Sequence, residues 1–414
     1  MSPGFFSSRW IERPSHVTEL QPGALAAGFR AAGVACGIKP SGARDLGLLV
    51  ADAPETTSAA RFTRSGTPAA PILATIEGAR LDQLRAIVAS SGNANAATGA
   101  QGLHDAGEMQ AVAADAAGTP AGTVAVASTG VIGVPLPLGT VTRGIAAASR
   151  ELSDDGAEHF AEAIRSTDAF SKHVCLEVAL RTGAVRISAQ AKGAGMISPD
   201  FATLLVFVQS DARCSAATCD LLLGVTVKRS FERITVDGQL SPSDTVILQC
   251  SGVAGVAIEP ETEDELRFGE ALDATLRQLA LMVVRDGEGA RRVGRLLVRG
   301  GEQETVDRVA RAVADSSLVK TALYGGDPNW GRIAQAVGMA SAGMAPMELE
   351  IAIEGVQVCA GGAYVPHDAD ALKQAVQRNE VQYELSLPGT GAEAELFFSD
   401  LGHEYVTINA DYTT

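Results

Sequence analysis

The stretch KGAGMISPDFATLLVFV, Lys192 to Val208, decides how this chain folds. It opens on Lys192-Gly193-Ala194-Gly195, passes through Pro199 and ends in Thr203-Leu204-Leu205-Val206-Phe207-Val208. That last run is short, continuous and apolar with β-branched members, as a strand covered on both faces requires. Just upstream, Leu176, Val178 and Leu180, then Val185, Ile187 and Ala189, alternate around Arg181-Thr182-Gly183. The pattern predicts a hairpin with one covered face, its second strand running into the glycine loop. Thr203 therefore stands where a Gly-rich, Pro-containing loop enters a buried strand.

Working outward, Thr262 and Glu265 form a capping-box pattern, and Leu272, Leu276, Leu279 and Val283 fall at helical spacing before Asp286-Gly287 stops the helix. Val306, Val309, Ala310 and Val313 predict a second helix. Met347, Leu349, Ile351 and Ile353 alternate, Glu354-Gly355 can turn, and Val381, Tyr383, Leu385 and Leu387 alternate again, which predicts a sheet with one wet face. Strand pairs mixed with amphipathic helices point to an α/β (α+β) protein rather than a strict βαβ series. No internal repeat or low-complexity linker interrupts the 414 residues.

The chain carries 33 basic and 49 acidic residues, a formal charge of −16, and no local Lys/Arg run. It thus lacks the electrostatic footprint of a nucleic-acid or anionic-membrane partner. Met1 to Leu20 has no apolar core suited to export, and the apolar stretches elsewhere fall far short of the ~20 residues of a membrane span. Cys36, Cys175, Cys214, Cys219, Cys250 and Cys359 form no CxxC pair and stand at no metal-ligand spacing, so they read as reduced, mostly buried thiols. The expected compartment is the cytoplasm, with no metal and no membrane.

Familiar catalytic signatures are missing. Gly193-Ala194-Gly195 and Gly287-Glu288-Gly289 do not complete GxGxxG, and GxxxxGK[ST], GxSxG and HExxH do not occur. What stands out is a set of polar and glycine clusters: Ser91–Asn95, Ser128-Thr129-Gly130, Lys192–Met196, Arg285–Ala290, Gly326–Arg332 and the polar end Asn409–Thr414. Each alone suits a turn; together they predict one shared active centre.

The motif KGAGMISPDFATLL, Lys192 to Leu205, resembles the self-cleavage segment of the ornithine acetyltransferase (glutamate N-acetyltransferase) family. The likeness runs almost end to end through GFRAAGVACGIKPSGARDL, SGNANAATGAQGL, STGVIG, RDGEGA, SLVKTALYGGDPNWGRI and YVTINADYTT. The resemblance implies layered sheets sandwiched by helices, similar to the β-aminopeptidase and ornithine acetyltransferase fold, with a smaller C-terminal lobe. It also implies a cut between Ala202 and Thr203, giving an alpha fragment 1–202 and a beta fragment 203–414, with two copies of each in the assembly.

By the same resemblance Thr203 is the nucleophile, Thr129 and Gly130 form the oxyanion hole, and Ser166 or Thr167, Lys192, Glu288, Asn409 and Thr414 bind substrate. Lys192 suits an α-carboxylate, Glu288 an ammonium, and Asn409 with Thr414 further hydrogen bonds. The reaction implied is ping-pong transfer of acetyl from N2-acetylornithine to glutamate through acetyl-Thr203, without metal or nucleotide; part of the family also uses acetyl-CoA as donor. A free N-terminal Thr brings its own base, because an α-amine has a pKa near ~8. The chain departs from the family pattern at Ala169, Ser171, Gln239, Leu240 and Pro242. Those departures leave open a paralogue in a specialised-metabolite pathway with another donor or acceptor; a separate alternative is an amidase or aminopeptidase on the same scaffold, with water in place of glutamate. A silent amino-acid-binding protein is a third.

Overall fold

The computed structural model describes residues 4–198, 204–344 and 347–411. Two sheets face each other at its centre. The larger has six strands in the order Val17–Glu19, Lys172–Ala179, Ala184–Lys192, Leu205–Ser210, Thr245–Cys250 and Thr57–Phe62. Within it only Leu205–Ser210 and Thr245–Cys250 run parallel. The smaller places Phe29–Val34, Leu46–Ala51, Ala86–Asn93 and Val124–Val131 side by side, the last pair parallel.

Strand periodicity explains how these layers stack. Side chains of successive residues point to opposite faces, so Leu205 and Phe207 meet Phe29, Leu49, Ile87 and Ala125 of the smaller sheet, with Phe160 wedged beside them. Val206 and Val208 face the other way, onto Leu223 and Val227 of the helix Ala216–Arg229 and onto Leu272, Leu276 and Val283 of Glu263–Arg285. On the far side, Met109 and Ala113 of Gly99–Ala117 and Val141 and Ile145 of Leu138–Ala148 cover the smaller sheet. The result is a helix–sheet–sheet–helix sandwich, the layered α/β architecture expected.

Local signals are met where one face is buried. The predicted hairpin pairs Leu176 with Ile187 and Val178 with Val185, closed by Leu180 N–H donating to Gly183 O at 2.7 Å. Every residue of Leu205–Ser210 is buried, as a doubly covered strand should be. Thr262 caps its helix by accepting the Glu265 N–H, and the helix stops at Arg285 with Asp286 as its cap. The alternating segments after Met347 lie in a seven-stranded sheet that includes Val293–Arg299, Glu350–Ile353, Glu380–Ser386 and Glu393–Ser399. Glu354 and Gly355, both at positive φ, make the turn between Ile353 and Val356. That sheet and the helices Gln303–Ala314, Ser317–Gly325 and Trp330–Ala340 share a separate core, the C-terminal lobe.

The expected cut at Ala202–Thr203 lies outside the described residues. The strands on either side of it, Ala184–Lys192 and Leu205–Ser210, pair antiparallel with Lys192 opposite Leu205. The two strands that flank residues 199–203 are thus neighbours in one sheet. Among the described residues no helix is long and apolar enough to cross a membrane.

Candidate active site

Strand ends and loops converge on a cleft of about 330 Å³ at the border of the sandwich and the C-terminal lobe. Thr129, Gly130, Ser166, Thr167, Lys192, Glu288 and Asn409 all line it. Seven of the expected site residues are thus brought together; Ala202, Thr203 and Thr414 lie outside the described residues.

Thr129 and Gly130 end the strand Val124–Val131, whose pairing with Ala86–Asn93 is irregular at Gly92/Asn93. Gly130 has φ of +125°, and a Cβ there would sit 2.5 Å from the Gly92 carbonyl carbon. Only glycine lets the two backbones approach this closely. The polar motif after Ser91 shapes the same corner: Asn93 Nδ2 donates to the carbonyls of Val134 and Pro135, and Asn95 Nδ2 to Gly102 O.

Lys192, 1% exposed, ends its strand and donates from Nζ to Thr129 Oγ1 at 3.2 Å. An ammonium has only donors, so Thr129 accepts here and its own hydroxyl hydrogen remains available to an oxygen in the cleft. Lys192 Nζ also stands 3.9 Å from Asp168 Oδ2. Asp168 receives Lys172 Nζ at 2.8 Å and the Gly193 N–H at 2.7 Å, while Lys172 also bridges to Asp286. These four charges are buried in the protein and nearly cancel.

Burial acts differently on each member of the set. It raises the Asp168 carboxyl, but Lys172 and Lys192 outweigh it and hold this group below the usual carboxylate range. Burial raises Asp286 as well, and there one lysine and a repelling Asp168 leave the shift upward although the same Lys172 serves both. Lys192 is lowered, chiefly by desolvation, against the pull of Asp168.

Opposite this cation the cleft is acidic. Glu288 follows the long helix Glu263–Arg285, and its Oε2 accepts from Asn409 Nδ2 at 2.6 Å. A Cβ on Gly195 would come within 2.7 Å of Glu288 Oε1, so the absence of a side chain there makes room for the carboxylate. Asn409 lies on the helix His403–Asp411, which also brings Tyr405 to the cleft wall. An ammonium fits beside Glu288 and a carboxylate beside Lys192, the complement of an amino acid.

Sequence reasoning overlooked several participants. Asp168, which faces Lys192, and Lys172, which ties Asp168 to Asp286, carry no periodic signal. Asp237 accepts the N–H groups of Met196 and Ile197 at 2.7 and 2.9 Å and the Tyr405 hydroxyl at 3.4 Å. It thereby pins Met196 at a positive φ of 53°. Of the departures from the family pattern, Gln239 and Pro242 line the cleft.

Two expectations need correction. The Gly326–Arg332 cluster does not reach the cleft; Asn329 caps the helix Trp330–Ala340 by accepting the Arg332 N–H, a structural role in the C-terminal lobe. The cysteines, unremarkable in spacing, are not all scattered. Cys214, Cys219 and Cys250 bring their sulfurs within 4.8 Å of one another in the core, with Cys219 and Cys250 3.7 Å apart. The chain folds back through the strand Thr245–Cys250, which linear spacing cannot show.

A family model described as the ArgJ family matches residues 30–414. Over 392 residues the chain is 40% identical to the arginine biosynthesis bifunctional protein ArgJ of Symbiobacterium thermophilum, covering 94% of this chain and 97% of the other. It is likewise 40% identical to the protein of that name from Geobacter sulfurreducens, covering 94% and 99%. The solved ornithine acetyltransferase of Mycobacterium tuberculosis, complexed with ornithine, is 38% identical, covers 46% of this chain and 100% of that one, and superposes with a TM-score of 0.42.

Proposed function

The chain belongs to the ArgJ family, and on that premise we propose that it is a self-processing acetyltransferase of arginine biosynthesis, moving acetyl from N2-acetylornithine to glutamate. The observation that carries this reading is the convergence of Thr129, Gly130, Lys192, Glu288 and Asn409 on one cleft, with Lys192 paired opposite Leu205 at the start of the strand Leu205–Ser210. Thr203, freed as an N-terminus, attacks the acetyl carbonyl through Oγ; its α-amine accepts the proton and passes it to the leaving ornithine amine. Thr129 Oγ–H and the Gly130 N–H receive the oxyanion. Lys192 holds the amino-acid carboxylate and Glu288 the ammonium of ornithine. Glutamate then attacks acetyl-Thr203 and leaves as N-acetylglutamate. Acetyl-CoA is a second donor to be tried, and two copies of each fragment in the cytoplasm are the assembly proposed.

Denaturing mass spectrometry of the purified protein tests the first step: fragments of 202 and 414 − 202 = 212 residues are expected. An intact chain that still transfers acetyl would exclude the N-terminal Thr mechanism, and Thr203→Ala should stay uncut and inactive. Gln239 and Pro242 in the cleft wall favour one second reading, a paralogue with another acyl donor or acceptor. A donor–acceptor screen by mass spectrometry separates the two. Acetate release indifferent to glutamate would instead identify an amidase.

A further inference from the structure

Cys214, Cys219 and Cys250 come from three different elements yet bring their sulfurs within 4.8 Å of one another. Cys214 ends the short strand Arg213–Cys214, Cys219 lies one turn into the helix Ala216–Arg229, and Cys250 closes the strand Thr245–Cys250. All three are buried, in one apolar core with Leu223, Ile258 and Phe268. None of them lines the cleft. Among the described residues this is the one group of three or more His, Cys, Asp or Glu side chains close enough to share a metal ion. Burial alone does not gather thiols in this chain, since Cys175 and Cys359 are buried outside the group.

The spacing suits a three-coordinate ion. A metal–thiolate bond of about 2.3 Å puts the corners of a trigonal site about 4.0 Å apart, √3 times the bond length. Cys219 and Cys250 stand 3.7 Å apart, and no edge of the triangle exceeds 4.8 Å. Soft thiolates select cuprous copper, zinc or iron–sulfur clusters. Structural zinc and the clusters want four ligands, whereas this group offers three and burial keeps bulk water from completing the set. The Thr57 hydroxyl, 3.6 Å from Cys219 Sγ, is committed to Cys214 O at 2.8 Å. Three sulfurs and no fourth ligand leave cuprous copper.

We infer that Cys214, Cys219 and Cys250 form a structural site for one cuprous ion, an inference independent of the function proposed above. Each sulfur binds as the thiolate, its proton passing to solvent. The ion ties the strand Arg213–Cys214 and the helix Ala216–Arg229 to the end of Thr245–Cys250, which itself pairs with Leu205–Ser210 and Thr57–Phe62. The negative charge left over lies at the first turn of that helix, whose dipole favours anions. Because none of the three cysteines lines the cleft, the ion braces the larger sheet and takes no part in acetyl transfer.

The test uses the full chain produced in cells supplied with copper and zinc and purified without oxygen, so that both ions are offered while the chain folds and burial does not block entry. Elemental analysis should find one copper per chain, and X-ray absorption should show that copper bound by three sulfurs at about 2.3 Å. The loaded chain should melt several degrees above chain made without copper, because the ion binds the folded state. Cys219→Ser should retain at least tenfold less copper, while Cys36→Ser, outside the group, retains it all. A wild-type chain that holds no copper, holds zinc in its place, shows nitrogen or oxygen ligands, or melts at the same temperature with and without copper would overturn the proposal. So would full retention by Cys219→Ser. The wild-type spectrum needs no variant to fold.

Discussion

Lys192 Nζ donates to Thr129 Oγ1 across 3.2 Å, so the buried cation of the cleft also orients the hydroxyl of the proposed oxyanion pair. In the proposed mechanism this one side chain couples charge recognition to transition-state stabilisation. Lys192→Ala is expected to lower kcat as well as raise KM, with kcat/KM falling by about 10²–10³. Steady-state transfer on the cleaved enzyme checks this; a change confined to KM would uncouple the two roles.

Gly130→Ala should damage the fold as well as catalysis. The new Cβ would meet backbone, not a yielding side chain, at 2.5 Å, and φ is +125°. Strain of this kind costs on the order of 1–3 kcal/mol, readable as a drop in Tm. An unchanged Tm would contradict the close backbone approach.

Gly195→Ala presents the opposite case. Its Cβ would meet the end of a flexible side chain, the Glu288 carboxylate at 2.7 Å, so Glu288 moves and stability changes little. With its link to Asn409 disturbed, KM for the ammonium-bearing substrate should rise about tenfold, or ~1.4 kcal/mol. An intact KM with a lower Tm would show that the carboxylate does not yield.

Acid stability should report on Asp168. Its folded pKa lies below the unfolded value, so its contribution is present above the unfolded value of about 4 and is lost as pH falls through the folded one. Asp286, shifted upward, acts with the opposite sign, its contribution fading as pH rises through its folded value. Asp168→Asn should flatten the acid limb of unfolding and, by leaving Lys172 and Lys192 short of a counter-charge, destabilise by about 3–5 kcal/mol at neutral pH. Denaturant melts at pH 3 and pH 7 would show the difference; equal losses at both would refute the assignment.

The elements legible beforehand were those in which one face is buried. The hairpin around Arg181–Gly183, the strand before Ser210 and the helix capped by Thr262 all carry a period of 2 or 3.6, or a cap, within a few residues. Thr129, Lys192, Glu288 and Asn409 were found through motif likeness, which signals residue identity but not position. Asp168, Asp237 and Asp244 were missed because a carboxylate that accepts backbone N–H groups from another segment leaves no trace in its own neighbours.

By itself the sequence determined the family and the class of fold and nominated the residues proposed for acyl transfer, because hydrophobic period and motif identity are local properties. Only the tertiary structure decided that Asp244 meets Leu204, that Lys192 meets Thr129, and that Gly326–Arg332 stays out of the cleft. Each pairing joins segments 40 or more residues apart. Such contacts depend on how the two sheets stack and how Thr245–Cys250 lies parallel to Leu205–Ser210. The buried charges are tolerated only where that stacking supplies their partners.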